Sequence, residues 1–129
     1  MDPSAVAVLV VDDQALFRRA AAAVVRMTGG FEIVGEAESG EEAVELAGSL
    51  SPALVLMDIN MAGINGIEAT RRITSLYPGV VVVLLSTYQA DDLPADAATS
   101  GAAAYVNKEE FGPQVLRRVW DQRDGGGIL

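Results

Sequence analysis

Three unbroken apolar runs, Val6–Val11, Leu54–Met57 and Val80–Leu85, constrain this chain more than anything else in it. Runs this short, rich in valine and leucine and bounded by Gly, Pro or polar residues, read as strands buried on both faces, the pattern of a parallel sheet. Each breaks off at a polar group: Asp12-Asp13 after the first, Asp58 after the second, Ser86-Thr87 after the third. In open parallel sheets ligands bind in the crevice outside the strand carboxyl ends, so these residues are placed for chemistry rather than packing. Asp58 is the natural centre of such a site.

The segments between the runs carry helical periodicity. From Gln14 to Met27, the residues Leu16, Phe17, Ala20, Val24 and Met27 recur every three or four positions, a stripe expected to face the sheet and closed by Thr28-Gly29-Gly30. Phe31–Ala37 begins by alternating apolar and polar residues, as an edge strand does. Ser39 and Glu42 have capping-box spacing ahead of a helix with Ala43, Val44, Leu46 and Ala47 on its apolar face. After Asp58, a loop over Ile59–Asn65 leads to Gly66 and a helix through Ile67, Ala69, Thr70 and Ile73, punctuated by Pro78-Gly79. Asp91–Ala98, with Asp as a cap and Pro94 in an early helical position, predicts a short, weakly anchored fourth helix. Ala102–Val106 reads as the last strand, followed by Asn107-Lys108 and a fifth helix from Pro113 to Arg123. Strand and helix thus alternate five times, which predicts a flavodoxin-like (βα)5 doubly wound parallel sheet of order 2-1-3-4-5. That order sets the first and third strands side by side, so Asp12, Asp13 and Asp58 converge.

The 129 residues suffice for one core, and the domain is expected over 1–124, with Gly125–Leu129 a tail or the start of a linker to an absent output domain. No cysteine, signal sequence or long apolar span is present, so a cytoplasmic, membrane-free protein is the simplest expectation. A net charge of -9 argues against nucleic-acid binding by this segment itself. Without histidine or cysteine, the chemistry falls to carboxylates, hydroxyls and lysine. Three converging carboxylates repel one another and stay ionised together mainly around a cation; oxygen ligands select a hard divalent ion, Mg²⁺, which also suits phosphate. A carboxylate can attack phosphorus to form an aspartyl phosphate while metal and lysine neutralise the phosphoryl oxygens, and Lys108 and Ser86 are placed to contact those oxygens.

The acidic pair, the Met57-Asp58 step, Ser86 after an apolar strand, and Tyr105 three residues before Lys108 together resemble the receiver domain of two-component response regulators from Val6 to about Arg123. Gly66–Ile73 further resembles receivers of the NarL/FixJ subfamily, whose members usually carry a helix-turn-helix output domain. The resemblance implies that Asp58 is the phosphoacceptor for a sensor histidine kinase, without the chain being an enzyme beyond its own phosphorylation and dephosphorylation. It implies that Asp13, Asp58 and the backbone carbonyl of Asn60 hold Mg²⁺, with Asp12 acting through water. Ser86 and Tyr105 take the switch positions, and Asn60 and Tyr88 those associated with phosphoryl lifetime.

Two departures stand out: Ala62 where receivers often have Pro, and Glu109 where many have a cis-Pro after the lysine. A non-proline cis bond costs about 2.5 to 4 kcal/mol, so a trans peptide is expected at Glu109. Other readings of the same residues are Asp12-Asp13 as plain helix caps, Ser86-Thr87 as an ordinary turn, Lys108 as a solvated side chain, Tyr105 as filler and Arg71-Arg72 as a solvated face. An aspartate-nucleophile phosphatase would need a second acid at position 60, where Asn stands. A degenerate receiver serving as a phosphorylation-independent protein-binding module is the main alternative. Trp120 lies at the edge of the apolar face of the last helix, which predicts partial burial or a homodimer through the first and fifth helices.

Overall fold

The alternation of side chains along the strands divides the interior into two cores, one on each face of a single sheet. The computed structural model describes residues 4–89 and 92–124. Five strands, β1 (Val6–Val11), β2 (Phe31–Ala37), β3 (Leu54–Asp58), β4 (Val81–Ser86) and β5 (Ala104–Asn107), pair in parallel in the order β2-β1-β3-β4-β5. Among the described residues four α-helices connect or follow them: α1 (Ala15–Met27), α2 (Gly40–Leu50), α3 (Gly66–Leu76) and α4 (Pro113–Asp121). The sheet order and the flavodoxin-like topology are those expected, and β2 lies at the edge.

Leu9, Val11, Val55, Met57, Val82 and Leu84 face α2 and α3, where Ala43, Ala47, Ile67, Ala69 and Ile73 close over them. Val8, Val10, Leu54, Leu56, Val83 and Leu85 face the other way, onto Ala21 and Val25 of α1 and Leu116 and Val119 of α4. Every residue of β3 is buried, which is why its sequence shows no alternation. Each fully buried Leu or Met side chain stabilises the fold by about 1.5–3 kcal/mol, so this strand is its anchor.

The ends of α2 form as its sequence dictates. Ser39 Oγ accepts the Glu42 amide at 3.1 Å, and the Glu42 carboxylate reaches back to accept the Glu38 amide at 2.7 Å, one residue beyond the usual capping-box return to the cap's own N–H. Three expectations are corrected. The inner face of α1 is Ala21, Ala22 and Val25 with Phe17 and Val24 beside them, whereas Ala20 is exposed, Leu16 is 80% exposed and Met27 68%. The fourth helix is a 3₁₀ segment, Ala95–Thr99, and Pro94 stands before it rather than inside it; Asp91, offered as a cap, lies outside the described residues. The last strand starts two residues later than expected and takes in Asn107. The peptide at Glu109 is trans, as expected. The tail expected over residues 125–129 also lies outside the described residues.

Trp120 is half-buried, edge-on to Phe31 with ring centroids 6.3 Å apart, and carries the Arg123 guanidinium 3.8 Å over its ring. This is the partial burial expected of an edge position. Arg71 and Arg72 both pair with Glu68 across exposed turns of α3 and form a solvated face.

Candidate functional site

Register alone assembles the site. β1 pairs with β3 through Val10↔Leu56 and Val11↔Met57, so the next step along each strand sets Asp12 beside Asp58. β3 pairs with β4 through Asp58↔Leu85, and β4 with β5 through Ser86↔Asn107, which brings Ser86 and Lys108 to the same end of the sheet. Carboxylate oxygens of Asp12, Asp13 and Asp58 lie within 4.8 Å of one another, with Asp12 and Asp58 buried and Asp13 exposed.

Lys108 lies across two of these acids, its Nζ 2.8 Å from Asp12 Oδ2 and 3.2 Å from Asp58 Oδ1. Its side chain is 12% exposed, so it is not a solvated surface lysine. Burial works to lower its pKa, but hydrogen bonding to Asp12 and the charges of Asp58 and Asp12 outweigh it and raise the pKa, which keeps the ammonium protonated. Asp12 does two things at once: Oδ1 accepts the Gln14 amide at 2.8 Å just ahead of α1, and the buried Oδ2 pairs with the Lys108 ammonium. Asp12 is not the cap of α1, because the N-cap is Gln14 and no side chain caps that end; its bond to the Gln14 amide instead fixes the turn that leads into the helix.

Asp58 is pushed up to about 6, first by burial and then by the Asp12 carboxylate, against the pull of Lys108. One lysine thus faces three acids. A cluster with this excess of negative charge and hard oxygen donors fits a divalent cation, and Asp12, Asp13 and Asp58 are the side chains that could hold it.

The other predicted residues form a second layer beside the cluster. Ser86 is buried at the end of β4, and its Oγ accepts the Tyr88 amide at 3.3 Å. The Tyr105 hydroxyl donates to the backbone carbonyls of Ser86, at 3.2 Å, and of Tyr88; burial raises its pKa. Asn107 Nδ2 donates to the same Tyr88 carbonyl at 3.1 Å. Tyr88 turns its own hydroxyl to Asn60 Oδ1 at 3.4 Å, so the two positions grouped from sequence by phosphoryl lifetime are in contact.

Three neighbours escaped the sequence reading as site residues. Phe17 lies under the ammonium of Lys108, 4.4 Å from Nζ to ring centroid. Arg18 donates to the Asp12 carbonyl at 2.8 Å and pairs with Glu36 and Glu38, which ties the β1–α1 loop to the end of β2. Gly66 packs so closely on β3 that a Cβ there would overlap the Asp58 carbonyl oxygen. Only Gly66 had a local signal, a glycine just inside the start of a helix.

A doubly wound α/β domain with an acidic cluster and a lysine at its strand ends defines a class of protein, and comparison with known proteins supplies the family. The family model for the response regulator receiver domain matches residues 8–120, and the chain belongs to that family. It is 35% identical over 122 residues to the transcriptional regulatory protein DegU of Brevibacillus brevis, covering 95% of this chain and 52% of DegU. The chain therefore spans about half the length of that relative. The signal receiver domain of the putative response regulator NarL from Mycobacterium tuberculosis superposes with a TM-score of 0.86 at 29% identity, covering 95% of this chain and 99% of that one. A CheX–CheY–BeF3–Mg²⁺ complex from Borrelia burgdorferi gives 0.80 at 27% identity, covering 90% and 87%. The NarL/FixJ-type resemblance read from Gly66–Ile73 agrees with the DegU and NarL relatives. No helix among the described residues is long and apolar enough to cross a membrane.

Proposed function

We propose that this receiver domain accepts a phosphoryl group on Asp58 from a phosphohistidine of a sensor histidine kinase, in a Mg²⁺-dependent step. The observation that carries the reading is the grouping of Asp12, Asp13 and Asp58 within 4.8 Å, with Lys108 bridging two of them. Asp13, Asp58 and the Asn60 carbonyl would hold Mg²⁺, with Asp12 acting through water. The bound ion would supply positive charge for the phosphoryl oxygens. An Asp58 Oδ attacks phosphorus, the O–P bond forms as the P–N bond to the donor histidine breaks, and the imidazole leaves with the electron pair. Lys108 gives up its contact with Asp58 to neutralise a phosphoryl oxygen, and Ser86 donates its hydroxyl to another. Mg²⁺ in the CheX–CheY–BeF3 complex accords with this assignment.

The switch follows from the second layer. Drawing Ser86 toward Asp58 moves a residue whose carbonyl Tyr105 holds, so the β4 end and Tyr105 shift together. Tyr88 and Asn60 bear on phosphoryl lifetime through their shared hydrogen bond. The domain turns over no other substrate and works in the cytoplasm, away from membranes. Its output is a helix-turn-helix DNA-binding domain, while the receiver, at -9, does not itself hold nucleic acid. Exposed Leu16, Ala20, Ala23 and Met27 form an apolar stripe on α1 that supports a homodimer through α1 and α4, the first and fifth predicted helices.

Amide NMR with Mg²⁺ and beryllium fluoride, a phosphoryl analogue, tests the reading. Shifts at residues 58–60 that extend to Ser86 and Tyr105 are expected. An unchanged spectrum at saturating analogue would overturn it in favour of a phosphorylation-independent binding module. Sedimentation unchanged with concentration, with and without the analogue, would remove the dimer.

A further inference from the structure

The loop that follows Asp58 lacks the proline that would stiffen it and has Ala62 instead, yet it is tied down at both ends. At its base the Gly66 amide donates to the Ile59 carbonyl at 2.8 Å. At its tip the Ile64 amide donates to Glu41 Oε2 at 3.2 Å, a bond between elements 23 residues apart.

The first turn of α2 and this loop interlock through two glycines. Gly63 has φ +80°, and a Cβ there would lie 2.6 Å from Glu41 Oε2; Gly63 is thus the residue that lets the carboxylate lie against the backbone. A Cβ on Gly40 would lie 2.6 Å from Ile64 Cγ1 and 2.8 Å from the Ile64 carbonyl oxygen. Asn65 then caps α3, its Oδ1 accepting the Glu68 amide at 2.9 Å. The loop is therefore held from α2 at positions 63–64 and from α3 at 65–66. Asn60 lies between Asp58 and these clamps.

We propose that Glu41 is a positioning residue of the phosphoacceptor site. By gripping the Ile64 amide it holds the loop in the conformation that presents the Asn60 carbonyl to Mg²⁺, the restraint that proline at 62 would otherwise give. The inference rests on the Mg²⁺-dependent reading of Asp58 above. Glu41 touches no reacting atom; it acts through the backbone of residues 60–64.

The test measures Mg²⁺ affinity by calorimetry, the Mg²⁺ dependence of phosphorylation by acetyl phosphate, and the melting temperature. Glu41→Ala is expected to weaken Mg²⁺ binding about threefold to tenfold, the scale of one lost charge-assisted hydrogen bond at an accessible site. The phosphorylation rate at saturating Mg²⁺ should stay near that of the wild type. Glu41→Gln, which keeps an acceptor oxygen but not the charge, should retain most of the affinity. Adding Ala62→Pro to Glu41→Ala should restore it, and Glu45→Ala, one turn along α2, should bind as the wild type does. Unchanged affinity in Glu41→Ala would overturn the proposal, as would an equal loss in Glu41→Gln, because the effect would then be charge alone. A loss of affinity matched by a large fall in melting temperature and unrelieved by Ala62→Pro would also overturn it, since that marks general destabilisation. A wild type that neither binds Mg²⁺ nor gains phosphoryl would instead remove the reading on which the proposal rests.

Discussion

Replacing Asp58 by Asn should stabilise the metal-free protein, and by an amount that depends on pH. A rise of the Asp58 pKa from 3.8 to about 6 means that its ionisation opposes folding by about 3 kcal/mol once complete. Because the folded-state pKa is raised, this stability is fully present below pH 3.8 and is lost as pH rises through about 6. Asp58 is only 5% exposed, so solvent screening removes little of the effect. Asparagine keeps the shape and cannot ionise. About half of the 3 kcal/mol falls between pH 5 and pH 8, so the advantage of Asp58→Asn should grow by about 1.4 kcal/mol across that interval. Urea unfolding of both proteins in EDTA at several pH values measures it. Saturating Mg²⁺ should narrow the gap, since a cation relieves in the wild type the repulsion that the variant lacks. Parallel stability curves from pH 5 to pH 8, or a variant less stable at pH 8, would refute the placement of Asp58 in a buried, acid-crowded pocket.

Removing the bridging lysine should act in the opposite direction. Lys108→Ala leaves Asp12 and Asp58 facing each other without a cation and should cost about 3 kcal/mol in EDTA, partly recovered by Mg²⁺; a urea-measured loss below about 1 kcal/mol would contradict the bridge. Gly66→Ala drives a methyl group into the Asp58 carbonyl and should cost about 1–3 kcal/mol, read as a lower melting temperature together with weakened Mg²⁺ binding. Tyr105→Phe removes the hydroxyl's hydrogen bonds to the carbonyls of Ser86 and Tyr88, the latter keeping its bond from Asn107, with an expected loss of about 1 kcal/mol and faster amide exchange over residues 86–89.

The sheet was legible because β1, β3 and β4 are apolar on both faces and end in polar residues that no core would take. From the strand order the meeting of Asp12, Asp13 and Asp58 followed directly. The face of α1 was not legible, for a physical reason: Ala20–Val25 is six apolar residues in a row, so no polar side chain marks which side faces water. Leu16 and Met27 then looked like core but are exposed. The segment after β4 was misread because Pro94 precedes the 3₁₀ turn instead of opening a helix. Contacts such as Phe17 on Lys108, Arg18 on the Asp12 carbonyl and Glu41 on the Ile64 amide join distant parts of the chain, and no local pattern encodes them. Gly63 is the partial exception, since a glycine in a loop invites the left-handed backbone it adopts.

The most direct measurement is the intact mass of this chain and of Asp58→Asn after incubation with a small-molecule phosphodonor, each with Mg²⁺ and with EDTA. A gain of one phosphoryl group that requires Mg²⁺ and is absent from the variant is the predicted result. No gain in the wild type, or an equal gain in Asp58→Asn, would contradict Asp58 as the phosphoacceptor.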